Sequence, residues 1–307
     1  MLKILVTGGR GFIGTNLTRI LRLRGHAVFT SDLKDGEDPG HFKADVGSYR
    51  QMAELFSTNE FDLVYHLAAE YGRWNGEDHY ENLWRTNTIG TKNMLRLQER
   101  HRFKMVFFSS AEVYGDYDGV MYEDVMDRVP IWQMNDYAIS KWAGEMQCLN
   151  SAAMFGTETV RVRPVNCYGP HERYSAYRGV IPIFVYHSLT GQPFKVHRGH
   201  KRIFDYVDDT ASTIANIADN FLPGEVYNVG SSEEWAVSIE ELARVVVEET
   251  DAAPALAQLD DSEPHTTKIK MMDFSKARRD LDHQATVQLR EGIRRYVEWM
   301  RSVYEIK

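Results

Sequence analysis

The sequence has little cysteine, no excess of basic charge and no long hydrophobic run. Its two cysteines, Cys148 and Cys167, are too few for a disulfide framework and lack the spacing of a metal site. The formal net charge of -8 gives no positive field that would attract nucleic acid or an anionic membrane. No apolar run could span a bilayer, and residues 1–6 lack the length and cleavage site of a signal peptide. These absences predict a cytoplasmic protein without a metal site that binds neither nucleic acid nor membranes.

A glycine motif at the start of the chain predicts a dinucleotide site. Gly8, Gly11 and Gly14 are spaced G-x-x-G-x-x-G between a short apolar strand and a helical pattern. Gly8 permits a tight turn, Gly11 lets the backbone approach a pyrophosphate, and Gly14 lets the helix pack close to the strand. Asp32 ends the second predicted strand, where its carboxylate can bind the adenosine ribose hydroxyls. The motif favours NAD over NADP, and an ordinary glycine turn is the alternative.

Strand and helix patterns alternate through the first two thirds of the chain. Such alternation is typical of a parallel sheet that helices cover on both faces. The predicted fold class is therefore α/β, a Rossmann-type doubly wound parallel sheet with a smaller, interleaved C-terminal substrate-binding lobe. The NAD-binding domain is expected over 1–165, with returning segments at about 201–231, and the lobe over 166–200 and 232–307.

Tyr137 and Lys141 form a candidate base. They lie four residues apart on a helix predicted over 136–154, so both side chains project from one face. A neighbouring positive charge, together with the cationic ring of an oxidised nicotinamide, should move the pKa of Tyr137 toward neutrality. Ser110 follows the strand predicted over 104–108, at the sheet edge where ligands bind. We expect Ser110 to share a substrate hydroxyl proton with Tyr137. A solvated surface pair and a serine that caps a helix are the alternatives.

The motifs taken together resemble a known family. TGGRGFIG, LAA, TNTIGT, SSAEVYG, YAISK, RVRPVNCYGP and RIFDYVDD occur in the order seen in the extended short-chain dehydrogenase/reductases. The sequence is most similar to their NAD-dependent nucleotide-sugar epimerase/dehydratase branch, over about residues 3–209. The resemblance implies bound NAD, a nucleotide-diphosphate sugar as substrate, and a homodimer formed through the helices predicted over 80–100 and 136–154.

The resemblance also implies which residues hold the cofactor. Asp45 and Val46 would contact the adenine, and Lys141 would contact the nicotinamide ribose. The full set of implied cofactor-binding residues is Gly8, Gly11, Phe12, Ile13, Gly14, Asp32, Asp45, Val46, Leu67, Ala68, Ala69, Asn87, Tyr137 and Lys141.

For the substrate, the resemblance implies contacts with the sugar and with the diphosphate. Tyr137 would act as the base, and Ser110 would bridge to the sugar hydroxyl. Asn166 would face the diphosphate, and the guanidinium of Arg202 would clamp it because its fork matches phosphate oxygens. The alternative for Arg202 is a structural ion pair with one of three nearby carboxylates: Asp205, Asp208 or Asp209.

Family chemistry begins with oxidation at C4 of the sugar, which gives a 4-keto intermediate. Reduction from the opposite face gives 4-epimerisation, elimination across C5 and C6 gives dehydration, and loss of a C5 carboxylate gives a pentose. The expected activity is that of an NAD-dependent nucleotide-sugar epimerase that uses Ser110, Tyr137 and Lys141. The alternatives are a dehydratase that uses Glu112, an NAD(P)-dependent ketone reductase, and a catalytically silent NAD-binding sensor.

Glu112 and two loops depart from the family pattern. Dehydratases and decarboxylases carry a glutamate at the position of Glu112, where 4-epimerases usually have a small or hydroxyl residue, so Glu112 favours chemistry beyond simple hydride return. Ala111, however, stands where the dehydratases supply an acid. A local cap or ion pair is the alternative for Glu112. The loop over 70–79 contains Arg73, which could recognise a carboxylate or phosphate or be a simple exposed charge. The stretch over 171–178 is also unusual, and both loops point to a less common sugar.

The late segment 260–270 departs from the family as well. Family members commonly place an arginine there for the second phosphate, and decarboxylases use one near the substrate carboxylate. This segment offers only His265, Lys268 and Lys270 as cations, which weakens the case for decarboxylation.

Overall fold

Strands and helices alternate along the chain as the sequence predicts. The computed structural model describes residues 1–261, 263 and 266–306. The strands are β1 (Lys3–Thr7), β2 (Ala27–Asp32), β3 (His41–Lys43), β4 (Leu63–His66), β5 (Lys104–Phe108), β6 (Val120–Met121), β7 (Thr159–Pro164), β8 (Cys167–Tyr168), β9 (Phe194–His197), β10 (Lys201–Arg202), β11 (Asp205–Tyr206), β12 (Val226–Val229), β13 (Val237–Ser238), β14 (Ala257–Asp260) and β15 (Met271–Met272). The helices are α1 (Phe12–Leu23), α2 (Tyr49–Thr58), α3 (Arg73–Asp78), α4 (Tyr80–Trp84), α5 (Gly90–His101), α6 (Val125–Arg128), α7 (Asp136–Phe155), α8 (Val180–Leu189), α9 (Val207–Ala215), α10 (Ile239–Thr250), α11 (Ser275–Leu281) and α12 (Leu289–Tyr304).

Seven strands form one parallel sheet within the described residues, in the order β3-β2-β1-β4-β5-β7-β12. The strand order runs outward in both directions from the boundary between β1 and β4. Thr7 pairs with His66 at the carboxyl end of that boundary, and His66 pairs with Phe107. In open sheets of this kind, ligands bind outside the carboxyl ends where the order reverses. The predicted Rossmann-type sheet is confirmed.

Local sequence explains where α7, the helix of the candidate base, begins and ends. The side chain of Asn135 accepts a hydrogen bond from the backbone N–H of Ala138 at 2.9 Å, which caps the first turn. Gly156 ends the helix with φ at 64°, a left-handed conformation that glycine adopts without steric cost. The helix therefore starts one residue before Tyr137, whose side chain lies in its first turn.

A second hydrophobic core lies outside the main sheet, among β9, α8, α10 and α12. Its buried members include Phe184, Val196, Val246 and Tyr296. The chain after β7 does not remain in this core, because Ala277 and other α11 residues pack into the core of the main sheet. The predicted domain bounds stay a prediction, and α11 is the late segment that returns to the first core.

Two elements differ from the sequence expectation. The single helix predicted over 80–100 is interrupted by a π-helical turn, Arg85–Ile89, between α4 and α5. π-Helical turns occur frequently at functional sites. The loop over 70–79 contains α3, which starts after Gly72 at φ 105°. A Cβ on Gly72 would lie 2.6 Å from the carbonyl oxygen of Tyr177, so this close approach requires a glycine.

Glu145 of α7 is a fully buried carboxylate that faces two arginines of β7. Arg163 donates from Nε to Oε1 and from Nη2 to Oε2 of Glu145, both at 2.8 Å. Nη1 of Arg161 lies 3.4 Å from Oε2 of Glu145, and the Ser109 hydroxyl donates to Oε1 at 2.5 Å. Burial alone would raise the pKa of Glu145, but the guanidinium charges and these hydrogen bonds outweigh it and hold the pKa below its usual range. These hydrogen bonds connect α7 to β7 and to the end of β5.

We expect Arg163→Met to lower the free energy of unfolding by about 3–5 kcal/mol, because it leaves a buried carboxylate without its bidentate partner. Urea unfolding at pH 7 measures this change. The effect should shrink as the pH falls below about 4, because a carboxyl with a depressed folded pKa stabilises the fold only while it is ionised.

Arg128→Met is the matched control, since Arg128 pairs with Asp124 on the surface, where ion pairs contribute little. Equal losses of stability in the two variants would contradict the role that we give to the buried pair.

Candidate active site

A cavity of about 400 Å³ lies at the carboxyl edge of the sheet. Residues from the glycine loop, from the ends of β4 and β5, and from α7 line it. The predicted site residues that it brings together are Gly8, Gly11, Phe12, Ile13, Gly14, Leu67, Ala69, Ser110, Glu112, Tyr137, Lys141 and Asn166. The edge that the strand order identifies is thus the edge at which most of the predicted residues meet.

A second cavity, of about 610 Å³, adjoins the first. The two share Glu112, Tyr137 and Asn166 in their walls, and the second is also lined by Arg73 and Arg202. Its far wall consists of apolar residues from the second core, including Phe184, Phe194 and Ile239. The candidate base therefore lies where the two cavities meet.

The glycine loop fits the diphosphate of a dinucleotide. A Cβ on Gly8 would lie 2.8 Å from the backbone nitrogen of Ala68, and a Cβ on Gly14 would lie 2.2 Å from the carbonyl oxygen of Gly8. Gly11 precedes α1 and offers no side-chain cap, so the first N–H groups of that helix are available at the cavity wall. Bare backbone and a helix N-terminus together favour a bound anion.

Five of the predicted cofactor residues do not line either cavity: Asp32, Asp45, Val46, Ala68 and Asn87. Asp32 accepts hydrogen bonds from the backbone N–H groups of Arg10 and Lys34, which holds its carboxylate beside the glycine loop. Asp45 pairs with Arg85. Their contacts with the adenosine half of the cofactor stay predictions.

Asn87 has a clear structural role. Its amide donates to the carbonyl of Glu70 at 3.0 Å and to Oγ of Ser140 at 3.0 Å, and it accepts from the N–H of Glu70 at 2.8 Å. Asn87 therefore joins the loop after β4 to α7, in the π-helical turn that precedes α5. Its predicted contact with the cofactor stays a prediction.

Tyr137, Lys141 and Ser110 come together at the end of β5. Nζ of Lys141 donates to the carbonyl of Phe108 at 2.8 Å and lies 6.0 Å from the centroid of the Tyr137 ring. Burial lowers the pKa of Lys141 to about 7. A lysine in this state exchanges its proton near neutral pH, which suits a site that moves protons.

The sequence predicts that the pKa of Tyr137 falls toward neutrality. For the protein by itself this direction is wrong. Burial and the neighbouring Tyr71 and Glu112 raise the pKa of Tyr137, and its hydrogen bond with Ser110 only partly opposes them. The sequence argument counted the charge of Lys141 but had no measure of burial. The ammonium of Lys141 also donates to a backbone carbonyl of β5.

Glu112 forms an ion pair that sequence reasoning did not foresee. Nζ of Lys270 lies 2.5 Å from its Oε1, although the two residues are far apart in the chain. Burial would raise the pKa of Glu112, but the charges of Lys270 and Arg73 outweigh it and lower the pKa to about 2. Glu112 is therefore a carboxylate at neutral pH. Of the other two late cations, Lys268 is exposed, and His265 lies outside the described residues.

Arg202 lines the second cavity, but its guanidinium already binds the late segment. It donates to the backbone carbonyls of Lys201, Thr267 and Lys268 at 2.6–2.9 Å. Its predicted contact with the diphosphate stays a prediction. The alternative, an ion pair between Arg202 and one of three nearby carboxylates, was wrong. These carboxylates have other partners: Asp205 binds Thr210, Asp208 binds Arg19, and Asp209 binds Thr286.

The two unusual loops supply cavity residues that sequence reasoning either left open or missed. Arg73 pairs with Glu263 at 2.8 Å, so it is not a simple exposed charge, and its buried Nη1 has no partner among the described residues. Tyr71 stacks edge-on against Tyr137, with ring centroids 5.6 Å apart. Glu172 lines both cavities. The signal in the sequence was that both loops depart from the family pattern.

We expect Gly14→Ala to weaken NAD binding by at least about tenfold, because the new methyl group would overlap the Gly8 carbonyl and displace the loop. The measurement is the NAD content of the purified protein, followed by fluorescence titration with NADH. Gly40→Ala is the control, since its Cβ would make only ordinary contacts, the nearest at 3.4 Å. Equal NAD affinity in all three proteins would show that the loop does not hold the cofactor.

The chain is similar to known proteins over nearly its whole length. A UDP-N-acetyl-alpha-D-glucosaminuronate decarboxylase of Bacillus cytotoxicus is 30% identical over 332 residues, which cover 98% of each chain. A dTDP-glucose 4,6-dehydratase of Neisseria meningitidis is 27% identical and covers 97% of this chain and 93% of its own. The crystal structure of a Thermus thermophilus UDP-glucose 4-epimerase with NAD has a TM-score of 0.85 at 25% identity, covering 97% and 98% of the two chains.

A family model agrees with these relatives. Residues 4–230 match the model described as the NAD dependent epimerase/dehydratase family, and these residues include the glycine loop and the candidate base. The resemblance found in the sequence and its prediction of NAD as the cofactor are confirmed. The chain belongs to the NAD-dependent epimerase/dehydratase family of the extended short-chain dehydrogenase/reductases.

Proposed function

We propose that the protein is an NAD-dependent epimerase that inverts C4 of a nucleotide-diphosphate sugar through a transient 4-keto intermediate. The observation that carries the proposal is that Ser110, Tyr137 and Lys141 line the first cavity together, and that Tyr137 also lines the second. One cavity has the glycine loop that suits a dinucleotide, and the other has the volume and the mixed polar and apolar wall that suit a sugar nucleotide.

The protein's own groups would handle the proton. Oη of Tyr137 takes the proton of the C4 hydroxyl while Ser110 holds the sugar oxygen, and the same phenol returns the proton at the end of the cycle. Burial keeps the phenol protonated in the protein by itself, so the ionised base needs both the positive charge of Lys141, one helical turn along α7, and that of the bound nicotinamide ring. Bound NAD supplies the oxidant at C4 and is regenerated, so the reaction needs no external oxidant.

The missing acid at position 111 favours epimerisation over dehydration. Elimination needs a base at C5 and an acid that protonates the departing hydroxyl. Glu112, held as a carboxylate by Lys270, can serve only as the base, and Ala111 supplies no acid. The position of Asp32 beside the glycine loop argues against an NADPH-dependent ketone reductase, because its carboxylate would repel a 2′-phosphate.

Decarboxylation of a nucleotide hexuronate is the second candidate. The sequence weakened this candidate because segment 260–270 has no arginine, but Lys270 supplies a buried cation beside Glu112. The charges of Arg73 and Arg202 also act on Glu112, so this part of the wall could hold a sugar carboxylate. Four relatives are named as decarboxylases of this kind of substrate. Both candidates share the 4-keto step.

We expect the wild-type protein to convert at least one sugar from a panel of UDP-, GDP-, CDP- and dTDP-sugars without added oxidant. NMR of the products identifies the reaction. Tyr137→Phe should lower turnover by about 100-fold or more because it removes the base, while bound NAD is retained. Tyr122→Phe is the control, since Tyr122 is exposed and lines neither cavity.

The products separate the candidates. A C4 epimer supports the proposal, and a pentose with CO2 from a hexuronate supports the second candidate. Steady release of NADH with the substrate would contradict both. A wild-type protein that binds NAD but converts no member of the panel would favour the silent sensor.

We also propose that the protein is a homodimer. Helix α7 carries exposed hydrophobic side chains along its outer surface: Ile139, Met146, Leu149, Met154 and Phe155. α7 packs against α5 within the chain, so a second copy can cover this surface by placing its own pair of helices against it. An uncovered apolar face of this kind is uncommon in a soluble monomer.

Light scattering at micromolar concentration should therefore give twice the 35.4 kDa mass of the chain. Leu149→Glu should give a monomer, because it buries a charge in the proposed interface. The control Leu23→Glu changes an exposed leucine of α1 and should leave the dimer intact. A wild-type mass of one chain would refute the proposal.

A further inference from the structure

The turn after β8 directs one carboxyl group into the cavities. Gly169 has φ at 140° and His171 has φ at 74°, a left-handed conformation that is uncommon for residues other than glycine. Two contacts hold this turn in place. The side chain of Asn16 donates to the carbonyl of Pro170 at 3.0 Å, and the Tyr296 hydroxyl donates to the carbonyl of Glu172 at 2.6 Å.

The Glu172 side chain is buried without a full set of partners. The residue is 3% exposed, it lines both cavities, and its Oε2 has no hydrogen-bond partner among the described residues. Burial raises its pKa to about 8, and the charge of Arg178 opposes this only in part. A buried polar atom without a hydrogen-bond partner destabilises the fold, so the fold gains nothing from leaving it in this state.

We propose that Oε2 of Glu172 is a specificity contact that hydrogen-bonds a hydroxyl group of the substrate's sugar. The inference rests on the proposed nucleotide-sugar function, to which it adds a direct contact between the protein and the sugar. Glu172 lies where the two cavities share a wall, as Tyr137 does. A sugar that reaches the Tyr137 hydroxyl therefore lies in a cavity whose wall also includes the Glu172 carboxyl.

The chemistry of the surroundings favours a hydroxyl over a charged group. A hydroxyl both donates and accepts, so it can bind the carboxyl in either protonation state. A phosphate or carboxylate has only acceptors and would be repelled by the ionised form. An ammonium group would meet the cations that also line these cavities, among them Arg178 and Lys270.

Calorimetry on the NAD-loaded protein tests the proposal, with UDP-glucose, UDP-glucuronate and UDP as probes. We expect Glu172→Leu to weaken binding of at least one UDP-sugar by about tenfold, the loss of one good hydrogen bond, while UDP binds within about twofold of wild type. Glu172→Gln keeps an acceptor and should recover most of that affinity. Glu298→Leu, an exposed glutamate of α12, is the matched control.

Thermal unfolding without substrate separates a ligand contact from a structural role. Removal of an unsatisfied carboxyl should leave Tm unchanged or raise it, whereas loss of a structural partner of Arg178 would lower it. The proposal is overturned if both Glu172 variants bind the UDP-sugars as wild type does. It is also overturned if UDP affinity falls as much as sugar-nucleotide affinity, or if the variants lose NAD instead.

Failure of the proposed function gives a different result. If the wild-type protein binds UDP but neither UDP-sugar more tightly than UDP, the nucleotide-sugar function fails for these substrates and the Glu172 contact fails with it. If the wild-type protein binds a UDP-sugar more tightly and the variants match it, only the assignment of Glu172 is wrong.

Discussion

The site depends on the buried ion pair between Glu145 and Arg163. Glu145 lies one helical turn beyond Lys141 and two turns beyond Tyr137, so the register of α7 against β7 determines where both reach the cavity. The same carboxylate accepts a hydrogen bond from the hydroxyl of Ser109, which precedes Ser110 at the end of β5. A buried pair of this kind contributes little net stability compared with an apolar pair, but its bidentate hydrogen bonds hold Glu145 and Arg163 in one arrangement here. Here that arrangement brings the phenol and the serine together.

Burial and neighbouring charges together give the ionisable groups of the site different states at the same pH. Lys141 has only backbone oxygen as its hydrogen-bond partner among the described residues, and its pKa falls to about 7. Glu112 has cations around it, and its pKa falls to about 2, whereas the pKa of Glu172 rises to about 8. Neighbouring groups with pKa values that move in opposite directions are a general sign of divided acid, base and binding roles. The roles proposed for Tyr137 and Glu172 agree with that division.

The sequence predicted the sheet and the position of the glycine loop well because both depend on short-range patterns. The glycine spacing lies within seven residues, and Tyr137 and Lys141 share one turn of helix. The pair between Glu112 and Lys270 could not be found in this way, because 158 residues separate them and the late segment has no strong periodic pattern. The hydrogen-bond partners of the Arg202 guanidinium could not be predicted either, because they are backbone carbonyls of that late segment. Composition cannot report such contacts.

The same late segment gives a reason why this family can catalyse several reactions on one scaffold. In the proposed mechanism, the 4-keto step uses bound NAD and the groups at the end of β5 and on α7. The outcome for the keto intermediate would then depend on groups such as Lys270 and Arg73, which already pair with Glu112 and Glu263 within the chain. A substrate anion must replace these internal partners, so it gains only the difference between the two interactions. Small changes in the loops can therefore redirect the intermediate while the oxidation step stays the same.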